Sequence, residues 1–123
     1  MTAAEEPRPH RREHRVRARR EFEAVYAVRT SKRFGPLQIH GGVNDREHAR
    51  LGMAVPRRVG NAPRRNRIRR RIREAFRQVR AELPSIDLVV HVRPHEPLLE
   101  VAEIQEILRR AALNLAGRLE ARE

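Results

Sequence analysis

Hydrophobic residues recur at helical spacing near both ends of the chain. Phe22, Val25 and Tyr26 are related as i, i+3 and i+4, which predicts a short helix over about residues 19–28. Apolar positions at similar spacing between about residues 101 and 119 predict a longer amphipathic helix. Each helix therefore has one face suited to packing on a core.

Alternating or continuous apolar positions predict strands between these helices. Residues 37–39 alternate with polar neighbours and indicate a weak strand. Residues 51–55 alternate more clearly, with large apolar side chains on one face and Gly52 and Ala54 on the other, and we expect such a face to leave the backbone accessible. Residues 86–92 form a nearly continuous apolar run, which is typical of an interior strand.

A further long helix is predicted from about Ala62 to Leu83. Asn61 is a favourable N-cap residue, Pro63 is tolerated in the first turn, and Pro84 cannot continue the helix. At about 100° per residue, the apolar side chains of this helix form one stripe: Ile68, Ile72, Ala75, Phe76, Val79 and Leu83. Arginines occupy the opposite side at positions 67, 70, 73 and 77.

The predicted elements form a single domain over residues 18–120. Their order is helix, two or three strands, helix, strand, helix. Residues 1–17 contain Val16 as the only sizeable apolar side chain, so we expect a flexible basic arm that cannot offset its ordering entropy. Residues 121–123 are a short tail.

Composition adds a strong positive charge. The chain has 28 Lys and Arg residues against 16 Asp and Glu residues, a formal net charge of +12, which favours a polyanionic partner. Cysteine is absent, which excludes a disulfide framework, a thiolate nucleophile and a cysteine-rich zinc module. Because the chain has neither a long apolar run nor the apolar core of a signal peptide, we expect a soluble cytoplasmic protein without a membrane partner.

The positive charge is concentrated around the predicted helix of residues 62–83. Residues 57–80 contain 11 arginines and one acid, whereas residues 84–123 contain five arginines and seven acids. Like charges four residues apart on a helix, such as Arg69 and Arg73, cost about 0.2–0.5 kcal/mol per pair. A polyanion would reverse the sign of each such interaction, so this segment predicts nucleic-acid binding.

The nearly homogeneous arginine face favours RNA over DNA. Such a face suits contact with the phosphate backbone rather than base reading in the DNA major groove, and structured RNA is recognised largely by shape and backbone. Phe22 and Tyr26 have two interpretations, a stacking surface for unpaired bases or ordinary core packing.

Two other classes of protein are alternatives to an RNA-binding protein. An enzyme in its own right would need a nucleophile, an acid–base pair or a metal cluster; His10 with His14, and His91 with His95, have i, i+4 spacing, but this spacing alone is weak evidence for a metal site. A ribosomal or DNA-architectural protein would share the basic helix.

One segment resembles a specific family signature. The run from Val59 to Phe76 contains an Arg-Asn-Arg core, an Ala three residues before it, and basic and aliphatic positions after it. This run closely resembles the signature of the bacterial ribonuclease P protein subunit. The resemblance extends to residues 20–26, 50–55 and 86–92 and to the last helix, so it covers about residues 17–119.

The resemblance implies both a fold and a function. The implied fold is an α+β two-layer sandwich of order α-β-β-β-α-β-α, similar to the second domain of ribosomal protein S5, with a mostly antiparallel sheet and a left-handed βαβ crossover. In the family, a catalytic RNA uses Mg²⁺ to remove the 5′ leader of precursor tRNA, and the protein is the non-catalytic subunit of this endoribonuclease. The implied partners are that RNA and precursor tRNA, with no DNA expected.

The resemblance also implies which residues contact RNA, and it implies no catalytic residue in the protein. The residues expected to bind the catalytic RNA are Arg57, Arg58, Asn61, Arg64, Arg65, Asn66, Arg67, Arg69, Arg70 and Arg73. The residues expected to bind the leader are Arg19, Arg20, Phe22 and Tyr26. The segment around His40 lacks an aromatic residue that many relatives have in the leader cleft, and no protein-bound metal position is predicted.

Overall fold

In a computed structural model, which describes residues 12–121, the hydrophobic pattern becomes three α-helices and four β-strands. The helices are α1 (Arg19–Val28), α2 (Ala62–Val79) and α3 (Val101–Ala121). The strands are β1 (Thr30–Phe34), β2 (Leu37–Val43), β3 (Arg50–Ala54) and β4 (Ile86–Val92). Short 3₁₀ helices span Arg12–His14, Arg57–Val59 and Arg80–Glu82. The order α-β-β-β-α-β-α is confirmed, and α2 ends earlier than predicted because the 3₁₀ turn follows Val79.

The four strands form one mixed sheet in the order β1-β2-β4-β3. Strand β2 pairs antiparallel with both β1 and β4, whereas β3 pairs parallel with β4. A parallel pair requires a crossover connection, and α2 supplies it between β3 and β4. The mostly antiparallel sheet of an α+β protein is confirmed, and the left hand of the crossover stays a prediction.

The main core lies between one face of the sheet and helices α2 and α3. The predicted stripe of α2 is buried there through Val79, and Phe76 is fully buried. Side chains such as Ile39 of β2, Val90 of β4 and Leu108 of α3 complete this core. This sheet and helix pair are the two layers of the predicted sandwich, and they fix which side of α2 faces solvent.

Helix α1 packs on the opposite face of the sheet and covers only part of it. Its Val25 and Phe22 join Val16 and Val89 in a smaller apolar cluster. Two adjacent glycines of β2 allow helices to approach both faces: a Cβ on Gly41 would lie 2.9 Å from the Cβ of Leu115 in α3. A Cβ on Gly42 would lie 3.1 Å from Cγ2 of Val25. Helix α1 does not reach the far end of this sheet face, which stays open.

Two expectations from the sequence are corrected on this face. Residues 12–17 do not behave as a free arm, because the backbone N–H of Val16 donates to the carbonyl oxygen of Leu51 at 2.9 Å and Val16 is buried. Residues 1–11 of the predicted arm lie outside the described residues. The backbone at Gly52 is not accessible either, since Phe22 and Val16 cover it.

No helix within residues 12–121 has the length and apolarity needed to span a bilayer.

A buried charge network fixes α1 to the sheet. The Arg50 guanidinium donates two hydrogen bonds to the Asp87 carboxylate, at 2.8 and 2.7 Å, and a third to Glu21 at 3.0 Å. Glu21 also accepts the backbone N–H groups of Arg17 and Ala18 at the start of α1. These backbone hydrogen bonds, together with that from Arg50, lower the pKa of Glu21 to about 2. The network therefore joins α1, β3 and β4.

Replacing Arg50 by Met tests whether this network holds α1 in place. The variant leaves the Asp87 carboxylate, 6% exposed, without its cation, and removing one partner of a buried pair costs about 3–5 kcal/mol. We expect a loss of this size in the free energy of unfolding, measured by urea titration. Arg109→Met, which removes exposed pairs with Glu82 and Glu106, is the control. Equal losses in the two variants would contradict the assignment.

Candidate nucleic-acid interface

The N-terminus of α2 is built by local capping. The side-chain oxygen of Asn61 accepts the backbone N–H of Arg64 at 3.0 Å, as the sequence predicts. The Nε of Arg65 donates to the carbonyl oxygen of Gly60 at 3.1 Å. Asn66 accepts a hydrogen bond from Arg69 at 3.1 Å. These contacts satisfy polar groups in the first turns of α2.

An exposed basic surface follows α2 and the 3₁₀ helix before it. The side chains of this surface, which we call the arginine face, are exposed, and no ion pair between described residues involves them. Its members are Arg57, Arg58, Arg67, Arg70 and Arg73. All five are among the residues that the family resemblance assigns to the catalytic RNA. The packing of α2 directs Arg67, Arg70 and Arg73 away from the core.

Other arginines of α2 are held by the protein itself. Arg64 pairs with Glu96 and also donates to the carbonyl oxygen of His95. Arg71 donates to the carbonyl oxygen of Leu99 at 2.8 Å. Arg64 is among the residues predicted to contact RNA, yet its charge is balanced within the fold. Arg64 and Arg71 instead tie α2 to the segment that leads into α3.

The arginine face is electrostatically strained around Arg73. Burial lowers the pKa of Arg73, and the positive charges of Arg15 and Arg69 lower it further. The backbone of Arg15 forms a parallel β-bridge with Leu51 of β3. The segment before α1 therefore adds its charge to the same surface. The sequence analysis missed Arg15 because it assigned this residue to a free arm.

A second surface lies where α1 leaves the sheet uncovered. The ring of Tyr26 meets the His40 ring edge to face, with centroids 4.9 Å apart, and Tyr26 is 37% exposed. Burial and the nearby His91 lower the pKa of His40, and burial raises the pKa of Tyr26. Both rings are therefore uncharged near neutral pH, which suits stacking against a base.

A cavity of about 410 Å³ continues from His40 across the open sheet. Its lining combines rings, an amide and two cations: Gln38, His40, Arg58, His91, Arg93 and Pro94. We call this cavity, together with the Tyr26 ring, the sheet cleft. Arg58 belongs to both the cleft and the arginine face, so the two surfaces are adjacent.

The predicted leader-binding residues are divided by the structure. Phe22 is partly buried over Gly52, with its ring 6.5 Å from that of Tyr26, so it serves mainly to pack α1. Arg19 is exposed and pairs with Glu23 on the same helix. Arg20 lines a separate cavity with Arg50, on the other side of α1 from the sheet cleft. Of the four, Tyr26 contacts the cleft.

The sequence analysis missed Gln38, His40, His91 and Arg93. A signal for two of them was present, since the burial of Leu37 and Ile39 in the main core places Gln38 and His40 on the opposite face. Here the His40 imidazole is the ring beside Tyr26.

A family model decides the relationship. The ribonuclease P model matches residues 11–116. The chain belongs to the ribonuclease P protein family. The ribonuclease P protein component of Syntrophobacter fumaroxidans is 35% identical over 114 residues, covering 91% of this chain and 93% of that protein. The component of an Azoarcus species is 36% identical over 107 residues, covering 86% of each chain.

Solved ribonuclease P proteins have the same fold. The protein from Staphylococcus aureus superposes with a TM-score of 0.71 at 28% identity, covering 84% of this chain and 94% of that chain. The protein from Thermotoga maritima gives a TM-score of 0.62 at 31% identity, covering 85% and 96%. Membership of the ribonuclease P family implies association with an endoribonuclease of tRNA processing.

Replacing Arg73 by Gln tests the strain on the arginine face. We expect the free energy of unfolding of the free protein to rise at low salt, by about 0.2–0.5 kcal/mol for each repulsive pair removed. The gain should shrink in about 1 M salt, where the Debye length is about 3 Å. Arg71→Gln is the matched control, because it removes the hydrogen bond to Leu99 and should lower stability. A loss in both variants would contradict the strain.

Proposed function

We propose that this chain is the protein subunit of ribonuclease P, which binds the catalytic RNA and the 5′ leader of precursor tRNA. In this role it assists the RNA-catalysed removal of the leader and supplies no catalytic side chain. The observation that carries the proposal is the pair of adjacent surfaces, the exposed arginine face and the sheet cleft, on a chain of this family.

The arginine face is proposed to bind the catalytic RNA. Its guanidinium groups are exposed and without carboxylate partners among the described residues, and their planar forks suit phosphate oxygens. RNA phosphates would replace the repulsion around Arg73 by attraction and release counterions. Arg65, Asn66 and Arg69 lie along the same helix, whereas Arg64 and Asn61 support it through Glu96 and the N-cap.

The sheet cleft is proposed to hold the single-stranded leader. The exposed ring of Tyr26 and the neighbouring ring of His40 offer aromatic surface on which an unpaired base can stack. Arg58 and Arg93 at the cleft provide charge for the leader backbone. Because every base has a face that stacks, this arrangement suits leaders of different sequence.

We propose that Mg²⁺ enters the complex bound to RNA and not to the arginine face. Mg²⁺ prefers oxygen ligands and keeps several waters, whereas the arginine face presents guanidinium donors. Mg²⁺ held by the catalytic RNA and the substrate would supply the metal chemistry of phosphodiester hydrolysis. The chain contributes by neutralising phosphates that would otherwise repel one another.

The alternative of a ribosomal or DNA-architectural protein shares the basic helix. It gives no reason for an aromatic cleft beside that helix, and the match over residues 11–116 is to ribonuclease P. The two proposals differ in one measurable property, which is dependence on the 5′ leader.

The division of labour is tested with Arg70→Ala and Tyr26→Ala in a holoenzyme reconstituted with a bacterial ribonuclease P RNA. Arg70→Ala should weaken binding to that RNA and reduce the slope of log affinity against log salt by about 0.7–0.9. Tyr26→Ala should leave binding to the catalytic RNA unchanged. It should weaken the binding of precursor tRNA by about 1–3 kcal/mol, the value of one stacked base, and leave the binding of mature tRNA unchanged. Fluorescence titration and cleavage at low Mg²⁺ provide both readouts.

Arg110→Ala, which removes an exposed pair with Glu106 on α3, controls for loss of one positive charge. It should match the unmodified protein in both assays. Equal effects of Arg70→Ala and Tyr26→Ala on precursor and mature tRNA would contradict the proposal, as would cleavage by the protein without RNA.

A further inference from the structure

Three side chains with metal-binding atoms meet at the junction between the N-terminal segment and the loop before β3. Glu13 and His14 come from the first 3₁₀ helix, and His48 comes from the loop. Each offers one ligand atom, and these atoms all lie within 4.8 Å of one another. The rings of His14 and His48 are in edge contact, with centroids 4.9 Å apart and planes at 66°.

The backbone fixes both sides of this cluster before any ion binds. On one side, the bridge between Arg15 and Leu51 and the hydrogen bond from Val16 hold His14 against β3. On the other, the side-chain amide of Asn44 approaches the carbonyl oxygen of His48 at 3.4 Å, and β3 begins two residues later. Fixed ligand positions lower the entropic cost of binding an ion.

One ring nitrogen of His48 has a backbone partner that suits an outer-shell role. Its Nδ1 lies 3.2 Å from the carbonyl oxygen of Ala49. With Nδ1 donating a proton to that carbonyl, Nε2 carries the lone pair that a metal ion takes. A backbone carbonyl in this position is a common partner of metal-bound histidine, because it fixes both the tautomer and the ring orientation.

We propose that Glu13, His14 and His48 form a zinc site with water in the fourth position. Two imidazoles and a carboxylate match the ligand preference of Zn²⁺ rather than that of Mg²⁺. Zn–N distances of about 2.0–2.1 Å in tetrahedral geometry require ligand atoms about 3.3 Å apart. Glu13 is exposed and His14 is buried, so rotation of the Glu13 side chain provides most of the adjustment.

The zinc site ties the segment before α1 to the loop before β3. This segment carries Arg15, whose charge acts on Arg73 of the arginine face. Zinc would therefore hold Arg15 at the border of that face. The site itself stands on the geometry of the three ligands and does not depend on the proposed role in ribonuclease P.

The experiment uses the full chain, freed of nucleic acid and treated with a chelator. Co²⁺ is added first, because tetrahedral Co²⁺ absorbs visibly, and Zn²⁺ is then titrated to displace it in the presence of excess Mg²⁺. We expect one Zn²⁺ per chain and a higher thermal unfolding midpoint, since an ion that binds the folded state stabilises it. Saturable binding unaffected by Mg²⁺ supports the site.

Variants connect the binding to the three residues. His48→Ala should lower the affinity for Zn²⁺ by at least about a hundredfold. Loss of a direct ligand should cost at least as much as loss of an outer-shell partner, which lowers metal affinity by up to about a hundredfold. Glu13→Gln alters an exposed side chain and keeps the fold, so its weaker binding cannot be attributed to unfolding. His95→Ala, which lies outside the cluster, is the matched control and should bind like the unmodified protein. Unchanged affinity in His48→Ala and Glu13→Gln, or no saturable binding at all, would overturn the proposal.

Discussion

Burial of the apolar stripe of α2 is the constraint on which the rest of this structure depends, because it crowds the arginines onto the other sides of the helix. The apolar stripe of α2, anchored by Phe76, must face the sheet and α3, so its remaining sides carry guanidinium groups within reach of one another. The fold balances some of these charges internally, as with Arg64 and Glu96 or Arg71 and Glu100. On the arginine face, no carboxylate among the described residues pairs with the guanidinium groups. A helix that is strained alone becomes favourable beside a polyanion.

The second surface exists because α1 covers only part of the sheet. Gly42 lets α1 approach closely at one end, and the Arg50 network locks it there. The other end of the same face stays open, with Tyr26 at the edge of α1 and His40 beneath it. The network and the cleft are therefore linked: the buried ion pairs determine where the exposed ring stands. The open cleft therefore follows from one incomplete layer of helix on this face of the sheet.

Local patterns predicted much of this architecture, and non-local contacts account for what they missed. The bounds of α1, the Asn61 cap and the buried stripe of α2 depend on residues a few positions apart, which the sequence displays directly. Strand β1, with the sequence Thr-Ser-Lys-Arg-Phe, has little apolar alternation and is defined by its pairing with β2. The covering of Gly52, the pairing of Arg64 and the His14–His48 contact each join segments more than 25 residues apart. The residues of the helix face follow from the sequence pattern. In the cleft, Tyr26 was predicted, whereas Gln38, His40, His91 and Arg93 were not.

Photocrosslinking tests most directly the central claim that two adjacent surfaces bind two different RNAs. A photoreactive amino acid would be placed at position 70 or position 26, and each protein assembled with a bacterial ribonuclease P RNA and a precursor tRNA labelled in its leader. We expect position 70 to crosslink to the catalytic RNA and position 26 to the leader. Crosslinking of both positions to the same RNA, or of position 26 equally to mature tRNA, would contradict it.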